Sequence, residues 1–278
     1  MITSEIINRA IDYILIHGEE KITLDDVARH CHFSKFYFSR LFKAQTGESV
    51  CGFIRRIRLE QSALRLKVER ERPITDISAD YGYSSSNYSS AFKLHYHTTP
   101  MKFRKSSYQR SMEHPFFHDE SWHMESFEEC REKITIKTVP DYPVIYERRF
   151  GSYENLSADW NRFLEAYGNY LKPDTVFLER TYDDPAVTEA KNCLYDICMT
   201  VEEDCPLENT TVIQGGKCAV YHFKDHARHI YGTYQTLLLV WLPKTGYELD
   251  QSRSLFDVYY QVDTDTMYME LDICLPVR

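Results

Sequence analysis

Residues 23–47 have the sequence TLDDVARHCHFSKFYFSRLFKAQTG, which contains the signals for two consecutive helices. Thr23, followed by acidic residues, is a favourable helix start. Ser34 can cap a second helix after the break at residues 32–33, and Gly47 is expected to end that helix. Since a short helix, a tight break and a second helix form a helix-turn-helix, we expect one over residues 23–47.

The same pattern occurs a second time further along the chain. A short helix is predicted for residues 76–80, and the Tyr-Gly-Tyr sequence at 81–83 supplies the break. The serines at 84–86 can cap a further helix that runs to about residue 95. A long helix, predicted for residues 50–68, joins the two copies.

Helical periodicity also extends before and after these two copies. Apolar residues three and four apart predict a helix over residues 5–17, and Pro100 opens a short helix through Arg104. Phe42 and Phe92 fall at the same place in the two copies, and we expect each to anchor the hydrophobic core. The first part of the chain is therefore predicted to be an all-α domain with two helix-turn-helix units and a linker helix.

The charge of the chain is divided unequally between its two parts. Residues 1–107 contain 17 Lys and Arg against 12 Asp and Glu, whereas residues 108–278 contain 16 against 30. The overall charge of −9 therefore combines a basic first part with a strongly acidic second part. A polyanion-binding module joined to a domain with another task has this distribution, so the first part is a candidate for binding DNA.

The first part resembles the AraC/XylS family of DNA-binding domains over residues 4–106. The family implies that each helix-turn-helix places its second helix in a major groove of double-stranded DNA, about one helical turn from the other. As a transcription regulator, the chain is also expected to have RNA polymerase as a partner. The residues that carry the resemblance are Thr23-Leu24, Val27-Ala28, Ser34, Phe38 to Lys43, Gly47, Arg58-Leu59, Ala63, Ile74, Ile77, Gly82-Tyr83, Pro100 and Phe103-Arg104.

The resemblance assigns four base-reading positions to each recognition helix. In the first helix Arg40 is the best candidate, because its planar guanidinium can bond guanine O6 and N7 together, although a phosphate contact is the alternative. Phe36 can touch a thymine methyl group or cover the edge of the core. The full set for the first helix is Phe36, Ser39, Arg40 and Lys43.

The matching positions in the second recognition helix are all serines. Serine distinguishes base pairs poorly, so we expect the second half-site to be read weakly or through the backbone. Basic residues nearby, Lys93 and Arg104 among them, are candidates for those backbone contacts. The four positions are Ser85, Ser86, Ser89 and Ser90.

The second part of the chain contains an internal repeat. The pattern Asp-Ile-Cys-x-x-Val occurs at residues 196–201 and again at 272–277. An apolar strand segment stands at a matching distance before each copy, and a helical stretch follows each segment. The simplest interpretation is a duplicated strand-helix-strand-strand unit, which makes an α+β domain with antiparallel sheets around a central groove.

The second part resembles the GyrI-like effector-binding domain over residues 132–278, which leaves residues 108–131 as a linker. The combined order of domains is similar to that of Rob-type transcription activators. The family implies a groove for small molecules, often lipophilic cations, as the effector. The resemblance rests on Val144 to Tyr146, Phe150 to Tyr153, Trp160, Trp241 to Pro243, Gly246-Tyr247, Phe256 to Tyr259 and Asp272 to Val277.

A delocalised cation needs aromatic faces and a buried carboxylate, and the second part offers both. Family members commonly carry a glutamate at the position of Asp257, two residues before the tyrosine of a Phe-x-x-Tyr strand. Core packing is the alternative for each aromatic residue, and an exposed strand carboxylate is the alternative for Asp257. The candidate ligand-binding residues are Tyr146, Tyr153, Trp160, Tyr221, Trp241, Asp257 and Tyr259.

No other motif in the sequence indicates a cofactor or a metal. The spacings among His114, His118, His123 and Cys130, and among His222, His226 and His229, match no strong zinc pattern. The eight cysteines include no Cys-x-x-Cys pair, so we expect mostly buried thiols in a reducing compartment. No run approaches the ~18 apolar residues of a membrane span, and no signal peptide is evident, so a cytoplasmic protein without membrane contact is predicted.

Three functions remain open at this point. An effector-responsive transcription regulator, most simply an activator, is the leading hypothesis, and in it the chain is not an enzyme. Some GyrI-like proteins hydrolyse small electrophiles, so a hydrolase using Asp257 and a tyrosine is an alternative. A protein-interaction role for the second domain is another. The oligomeric state is left open, because two reading helices in one chain permit a monomer without requiring one.

Overall fold

A computed structural model describes residues 4–116, 123–202 and 204–278 of the chain. The described residues divide into two compact units, one within residues 4–110 together with 186–188 and the other within residues 111–185 together with 189–278. No helix in the described ranges is both long and apolar enough to cross a membrane. All eight cysteines are free, and six of them are buried, in agreement with the sequence analysis.

The first unit is helical throughout. Its helices are α1 (Glu5–Ile16), α2 (Leu24–His30), α3 (Lys35–Thr46), α4 (Val50–Val68), α5 (Ile74–Asp80), α6 (Ser85–Tyr96) and α7 (Pro100–Met112). The pairs α2–α3 and α5–α6 are the two expected helix-turn-helix units, and α4 is the long helix between them. Their bounds lie close to those predicted from the sequence.

Local rules explain where these helices start and stop. Thr23 and Asp26 form a reciprocal capping box at the start of α2. Gly47 ends α3 in a left-handed conformation with φ of 80°, which glycine adopts without steric cost. Ser34, in contrast, makes no side-chain cap for α3, although Ser84 does cap α6 through the backbone N–H of Asn87.

The two phenylalanine anchors occupy equivalent core positions. Phe42 and Phe92 are completely buried. The ring of Phe42 meets that of Phe53 edge to face at 5.3 Å, and the ring of Phe92 meets that of Phe103 in the same geometry and at the same distance. In each helix-turn-helix an edge-to-face phenylalanine pair therefore packs the recognition helix against the following helix, and Tyr96 adds a second ring contact to Phe103 in the second unit.

The structure differs from the sequence analysis in the extent of two elements. Helix α5 begins at Ile74, directly after Pro73, and not at residue 76. Helix α7 does not stop near Arg104 but continues to Met112, past the domain boundary expected at residue 107. A helix also lies at the far end of the stretch expected to be a linker: α8 (Phe127–Lys133), which begins with a capping box between Ser126 and Glu129.

The second unit combines two further helices with a single antiparallel sheet. The helices are α9 (Leu156–Tyr167) and α10 (Ile230–Thr236), and α10 continues into a π-helical turn over Leu237–Trp241. The strands are β1 (Ile134–Val139), β2 (Tyr142–Phe150), β3 (Phe177–Thr181), β4 (Leu194–Thr200), β5 (Thr210–Ile213), β6 (Gly216–His226), β7 (Leu255–Asp263) and β8 (Tyr268–Pro276).

The strand order is symmetric about the centre of the sheet. The eight strands lie in the order β1-β6-β8-β7-β3-β4-β2-β5. Strands β3 and β7 therefore form the central pair. Strands β4 and β2 follow on the β3 side and β8 and β6 on the β7 side, and β5 and β1 form the two edges. The repeat in the sequence predicted more than one sheet, whereas the pairing of β3 with β7 joins the eight strands into a single sheet.

The register of the central pair brings two acidic residues together. Glu179 of β3 lies directly opposite Asp257 of β7. Residues directly opposite each other in an antiparallel pair have side chains on the same face of the sheet, with Cβ atoms about 5 Å apart. The fold therefore places two carboxyl groups side by side at the centre of the sheet.

Candidate functional site

The first recognition helix presents most of its expected base-reading residues to solvent. Phe36, Arg40 and Lys43 are exposed, with Phe36 at 76% of its maximum, whereas Ser39 is half-buried. Their spacing of four and three residues places the three exposed side chains on one face of α3. Among the described residues, none forms an ion pair with Arg40 or Lys43, so both positive charges face outward.

The second recognition helix presents a different surface. Its four serine positions and Lys93 are all exposed, and Lys93 is followed by Leu94, a large apolar residue that is 78% exposed. Arg104 is half-buried, and burial lowers the pKa of its guanidinium. Its Nε and Nη2 atoms are buried and have no hydrogen-bond partner within the described parts of the chain. Arg104 is thus placed differently from the exposed Lys93.

The second candidate site is the pair of carboxyls at the centre of the sheet. Glu179 is 3% exposed and Asp257 is 2% exposed. The hydroxyl of Tyr259 donates to Glu179 Oε2 at 3.1 Å, and the hydroxyl of Tyr234 donates to Asp257 Oδ1 at 2.5 Å. Trp160 also lies near Glu179 and acts to lower the pKa of its carboxyl, against the larger effect of burial. Two buried acids are therefore bonded by two tyrosines, with an indole beside them.

Three different elements supply these aromatic side chains. Trp160 comes from α9, Tyr234 from α10 and Tyr259 from β7. The Trp160 ring lies 5.9 Å from the Tyr259 ring, at 72° to it, and each of the three residues is half-buried. The aromatic groups thus cover the acids while keeping part of their own surface open.

The acids have no positive partner in the described parts of the chain. Burial raises the pKa of Glu179 to about 7. Burial, followed by the nearby Glu179 charge, raises the pKa of Asp257 well above its usual range. Both shifts have the sign expected for carboxyls removed from water without a counter-ion. A strongly perturbed acid in an aromatic setting is the type of group that marks a binding site.

The other predicted ligand-binding residues are distributed more widely. Tyr153 stacks on Tyr195 with ring centroids 4.9 Å apart. Burial and then the Asp183 charge raise the pKa of Tyr153, and the Glu179 charge makes a smaller contribution. Trp241 stacks on Tyr247 in the π-helical turn after α10. Tyr221 donates to Glu125 and accepts from Lys133. The structure thus brings together Trp160, Asp257 and Tyr259 and leaves Tyr221 and Trp241 in other surroundings.

Tyr146 belongs to the opposite face of the sheet. The guanidiniums of Arg148 and Arg180 lie 5.5 and 5.6 Å from its ring centroid. Both arginines bond Asp196, which is completely buried. Asp196 thus takes part in a paired internal ion cluster, in line with the structural role that its repetition in the sequence suggested.

Two residues of the acidic site were missed in the sequence analysis. Glu179 is the one acidic residue of the strand Phe177–Thr181. A carboxyl in a largely buried strand is unusual, and it was the signal in the sequence that could have identified Glu179. Its pairing with Asp257 depends on strand register, which the sequence alone did not supply. Tyr234 carried no signal, because a tyrosine at a helical position is most simply explained by packing.

Metal binding finds no support in the described parts of the structure. No group of three or more His, Cys, Asp or Glu side chains there could hold a metal ion. His222 bonds Asp272 and Glu270, and His229 bonds Asp225. His118, considered as a possible ligand from the sequence, lies outside the described residues.

The two halves of the chain match two known families. Residues 132–278 match the GyrI-like small molecule binding domain, and residues 27–106 match a helix-turn-helix domain. The chain belongs to the AraC/XylS family and carries a GyrI-like domain. Both matches agree with the resemblances described from the sequence.

Individual relatives match about a third of the chain. The regulatory protein SoxS of Salmonella typhimurium is 35% identical over 101 residues, which are 36% of this chain and 94% of SoxS. The transcriptional regulator Rob of the same organism is 37% identical over 92 residues, 33% of this chain and 32% of Rob. The right origin-binding protein of Escherichia coli K12 is 36% identical over 91 residues, 32% of this chain and 31% of that protein. The matched segment thus spans about a third of Rob. All three names describe regulators or DNA-binding proteins, and none describes an enzyme.

Proposed function

We propose that this AraC/XylS-family protein is a sequence-specific transcription regulator, an activator, whose GyrI-like domain binds a small organic cation as effector. The observation that carries the effector assignment is the pair of buried carboxyls, Glu179 and Asp257, which lack a positive partner among the described residues. A buried charge without a partner is costly. A cationic ligand would supply the missing charge.

The DNA-binding part of the proposal is supported by the outward face of α3. Phe36, Arg40 and Lys43 offer one apolar and two cationic side chains on a single helical face. Arginine bonded to guanine and an apolar contact with thymine are common specific contacts in a major groove. The serine-rich face of α6 discriminates poorly between base pairs. The half-site contacted by α3 is therefore expected to contribute most of the sequence specificity for double-stranded DNA.

The aromatic residues around the acids support a flat or lipophilic cation. Trp160 and Tyr259 expose part of their rings beside Glu179, and Tyr234 does so beside Asp257. Cations placed over aromatic faces gain stabilisation that grows as water is removed. A planar or aryl-substituted ammonium, phosphonium or pyridinium ion meets these requirements better than a small hydrated ion does.

The architecture of the GyrI-like domain is consistent with a duplicated unit around a groove. The strands β2, β3 and β4 with α9 correspond in order to β6, β7 and β8 with α10. The symmetric strand order and the repeated sequence around Asp196 and Asp272 support this interpretation. On this proposal the acid pair lies where the two halves meet, and α9 and α10 supply opposite walls of the groove.

RNA polymerase is the expected partner of the activator, and the cytoplasm is its expected location. Promoter DNA selected by the protein from a random pool would define its operator. Addition of polymerase would then show whether the regulator recruits it. More polymerase on the selected promoter in the presence of the protein supports activation, whereas less would identify a repressor.

The effector assignment can be tested with two probes of equal shape and opposite charge. The full chain is titrated calorimetrically with tetraphenylphosphonium and, separately, with tetraphenylborate. Binding of the cation alone is expected, because the site is acidic. Equal binding of both ions, or binding of neither, would contradict the assignment of a cationic effector.

A further inference from the structure

The two central carboxyls are close enough to act on one ligand together. Glu179 and Asp257 are direct partners in the β3–β7 ladder, so their Cβ atoms are about 5 Å apart. Each accepts from an aromatic residue, Tyr259 on one side and Tyr234 on the other. The pair therefore forms one site with two acidic groups.

Two negative charges at this separation cannot both persist in a buried, empty site. Each would pay the cost of leaving water, and each would repel the other. Burial raises the pKa of Glu179 to about 7, and burial with the Glu179 charge raises the pKa of Asp257 well above its usual range. Because the two carboxyls are buried, lie opposite each other and have no positive partner among the described residues, we expect both to hold a proton in slightly acidic solution when no ligand is bound.

The aromatic groups that surround Glu179 and Asp257 do not titrate between pH 5 and 8. They are phenols and one indole, and burial raises the pKa of each phenol, so all of them remain neutral below pH 9. A further carboxyl, Asp159, accepts from Tyr195 and pairs with Arg162 and Arg149, which leaves its charge balanced. The aromatic groups are Tyr153, Trp160, Tyr195, Tyr234 and Tyr259, from the segment before α9 and from α9, β4, α10 and β7.

We propose that Glu179 and Asp257 form an exchange site that releases one bound proton for each positive charge of the effector that binds, up to two protons. This inference rests on the proposed cation-binding function and specifies how many positive charges the preferred ligand carries. The site would therefore favour organic dications whose charges are separated by about one aromatic ring over monocations of the same shape.

The charge balance of the exchange is simple. A monocation displaces one proton to solvent and leaves one ionised and one protonated carboxyl around it. A dication displaces both protons and leaves two carboxylates. In either case the occupied site is neutral, as the empty one is. No covalent bond is made or broken apart from the O–H bonds of the carboxyls.

Access and selectivity for this exchange come from the half-buried aromatic groups. Trp160, Tyr234 and Tyr259 are partly exposed although the acids beneath them are not. The match of residues 132–278 to a small-molecule-binding family is independent of the acids and points to a ligand in this domain. The family match together with the paired register thus supports a two-charge site.

The test counts the protons released on binding. The full chain is titrated calorimetrically at pH 6 in two buffers that differ in ionisation enthalpy. The probes are benzyltrimethylammonium and p-xylylene-bis(trimethylammonium), which carry one and two permanent charges and do not titrate themselves. We expect release of about one proton with the first probe and about two with the second, with tighter binding of the second.

Glu179→Gln isolates the second acid. The variant keeps the size and the acceptor oxygen of the side chain, and circular dichroism would check that it folds. We expect it to bind both probes with release of about one proton and to lose the preference for the dication. Glu165→Gln, an exposed change on α9, is the matched control and is expected to behave as the wild type.

The possible outcomes separate this inference from the function on which it rests. Binding of both probes with equal proton release, or with none, overturns the exchange site while a cationic effector stands. A dication preference that survives in Glu179→Gln also overturns it. Failure of both probes and of tetraphenylphosphonium to bind contradicts the cation-binding function itself.

Discussion

The pH dependence of stability provides a sensitive test of the buried acid pair. The perturbation is Glu179→Gln, which replaces the central carboxyl with an uncharged side chain of the same size. Glu179 is 3% exposed and accepts a hydrogen bond from the hydroxyl of Tyr259. The amide oxygen of glutamine can accept the same bond, so the change removes the ionisation and retains the packing.

The magnitude follows from the raised pKa. Below pH 4.5 the carboxyl is protonated in both the folded and the unfolded chain, and above about pH 7 it is ionised in both. Between these values the folded chain holds a proton that the unfolded chain has released, so the free energy of unfolding falls as the pH rises. A pKa raised from 4.5 to about 7 corresponds to a loss of about 3 kcal/mol across this window.

The assay is urea unfolding at several pH values between 4.5 and 8, followed by tryptophan fluorescence. Two of the three tryptophans of the chain, Trp160 and Trp241, lie in the GyrI-like domain, and the helical domain has none, so the change in fluorescence follows mainly the GyrI-like domain. Wild type should lose about 3 kcal/mol more than Glu179→Gln between pH 4.5 and 7.5. Near pH 8 the variant should be the more stable protein.

The comparison between the two proteins removes the contributions of other titrating groups. Glu165→Gln, at an exposed position on α9, is the control and should keep the wild-type pH dependence. Parallel stability curves for wild type and Glu179→Gln would refute the reasoning, because they would mean that Glu179 ionises in the folded protein as easily as in water.

Further predictions concern binding and packing. Asp257→Asn should weaken binding of the dication p-xylylene-bis(trimethylammonium) at least tenfold by calorimetry, because it leaves one carboxyl for two positive charges, whereas the exposed control Asp204→Asn should not. Arg40→Ala should cost ~1–3 kcal/mol on the selected operator and less on random DNA in competition gel shifts; equal losses would make Arg40 a phosphate contact. Phe92→Ala should lower the free energy of unfolding of the helical domain, followed by circular dichroism, by about 3–5 kcal/mol. The exposed control Leu94→Ala on the same helix should change it by no more than about 0.5 kcal/mol. Similar losses from the two variants would contradict the core position of Phe92.

The helical domain was largely predictable because local rules determine it. The cap at Thr23 and the left-handed Gly47 depend on neighbours within one helical turn, and both lie where the sequence placed them. Helix α7 was predicted too short, since nothing in its sequence marks the stop at Met112. Its extension past residue 107 therefore could not be anticipated from caps or periodicity.

The effector site was predictable only in part, because its key contact is set by long-range register. Asp257, Tyr259 and Trp160 were expected from the family resemblance, and the structure places them together. Glu179 is 78 residues from Asp257, and their contact exists only because β3 pairs with β7 in one register. Tyr146 was expected near them, but its place in β2 puts it on the other face with Arg148.

The separation of strand faces explains why residue type alone is a poor guide here. Successive side chains of a strand point to opposite faces, so a shift of one residue moves an aromatic group to the other side of the sheet. Glu179 and its neighbour Arg180 illustrate this, since one meets Asp257 and the other bonds Asp196. Composition predicts that both kinds of group are present but not which of them meet.

A cation bound at the acid pair is proposed to control transcription from the operator. The test is transcription in vitro from a promoter carrying the selected operator, with increasing tetraphenylphosphonium, for wild type and for the double variant Glu179→Gln/Asp257→Asn, which has no carboxyl at the pair. We predict that the cation changes the transcript yield with wild type and has no effect at the same concentrations with the double variant. An unchanged yield with wild type, or an equal response from both proteins, would contradict the claim.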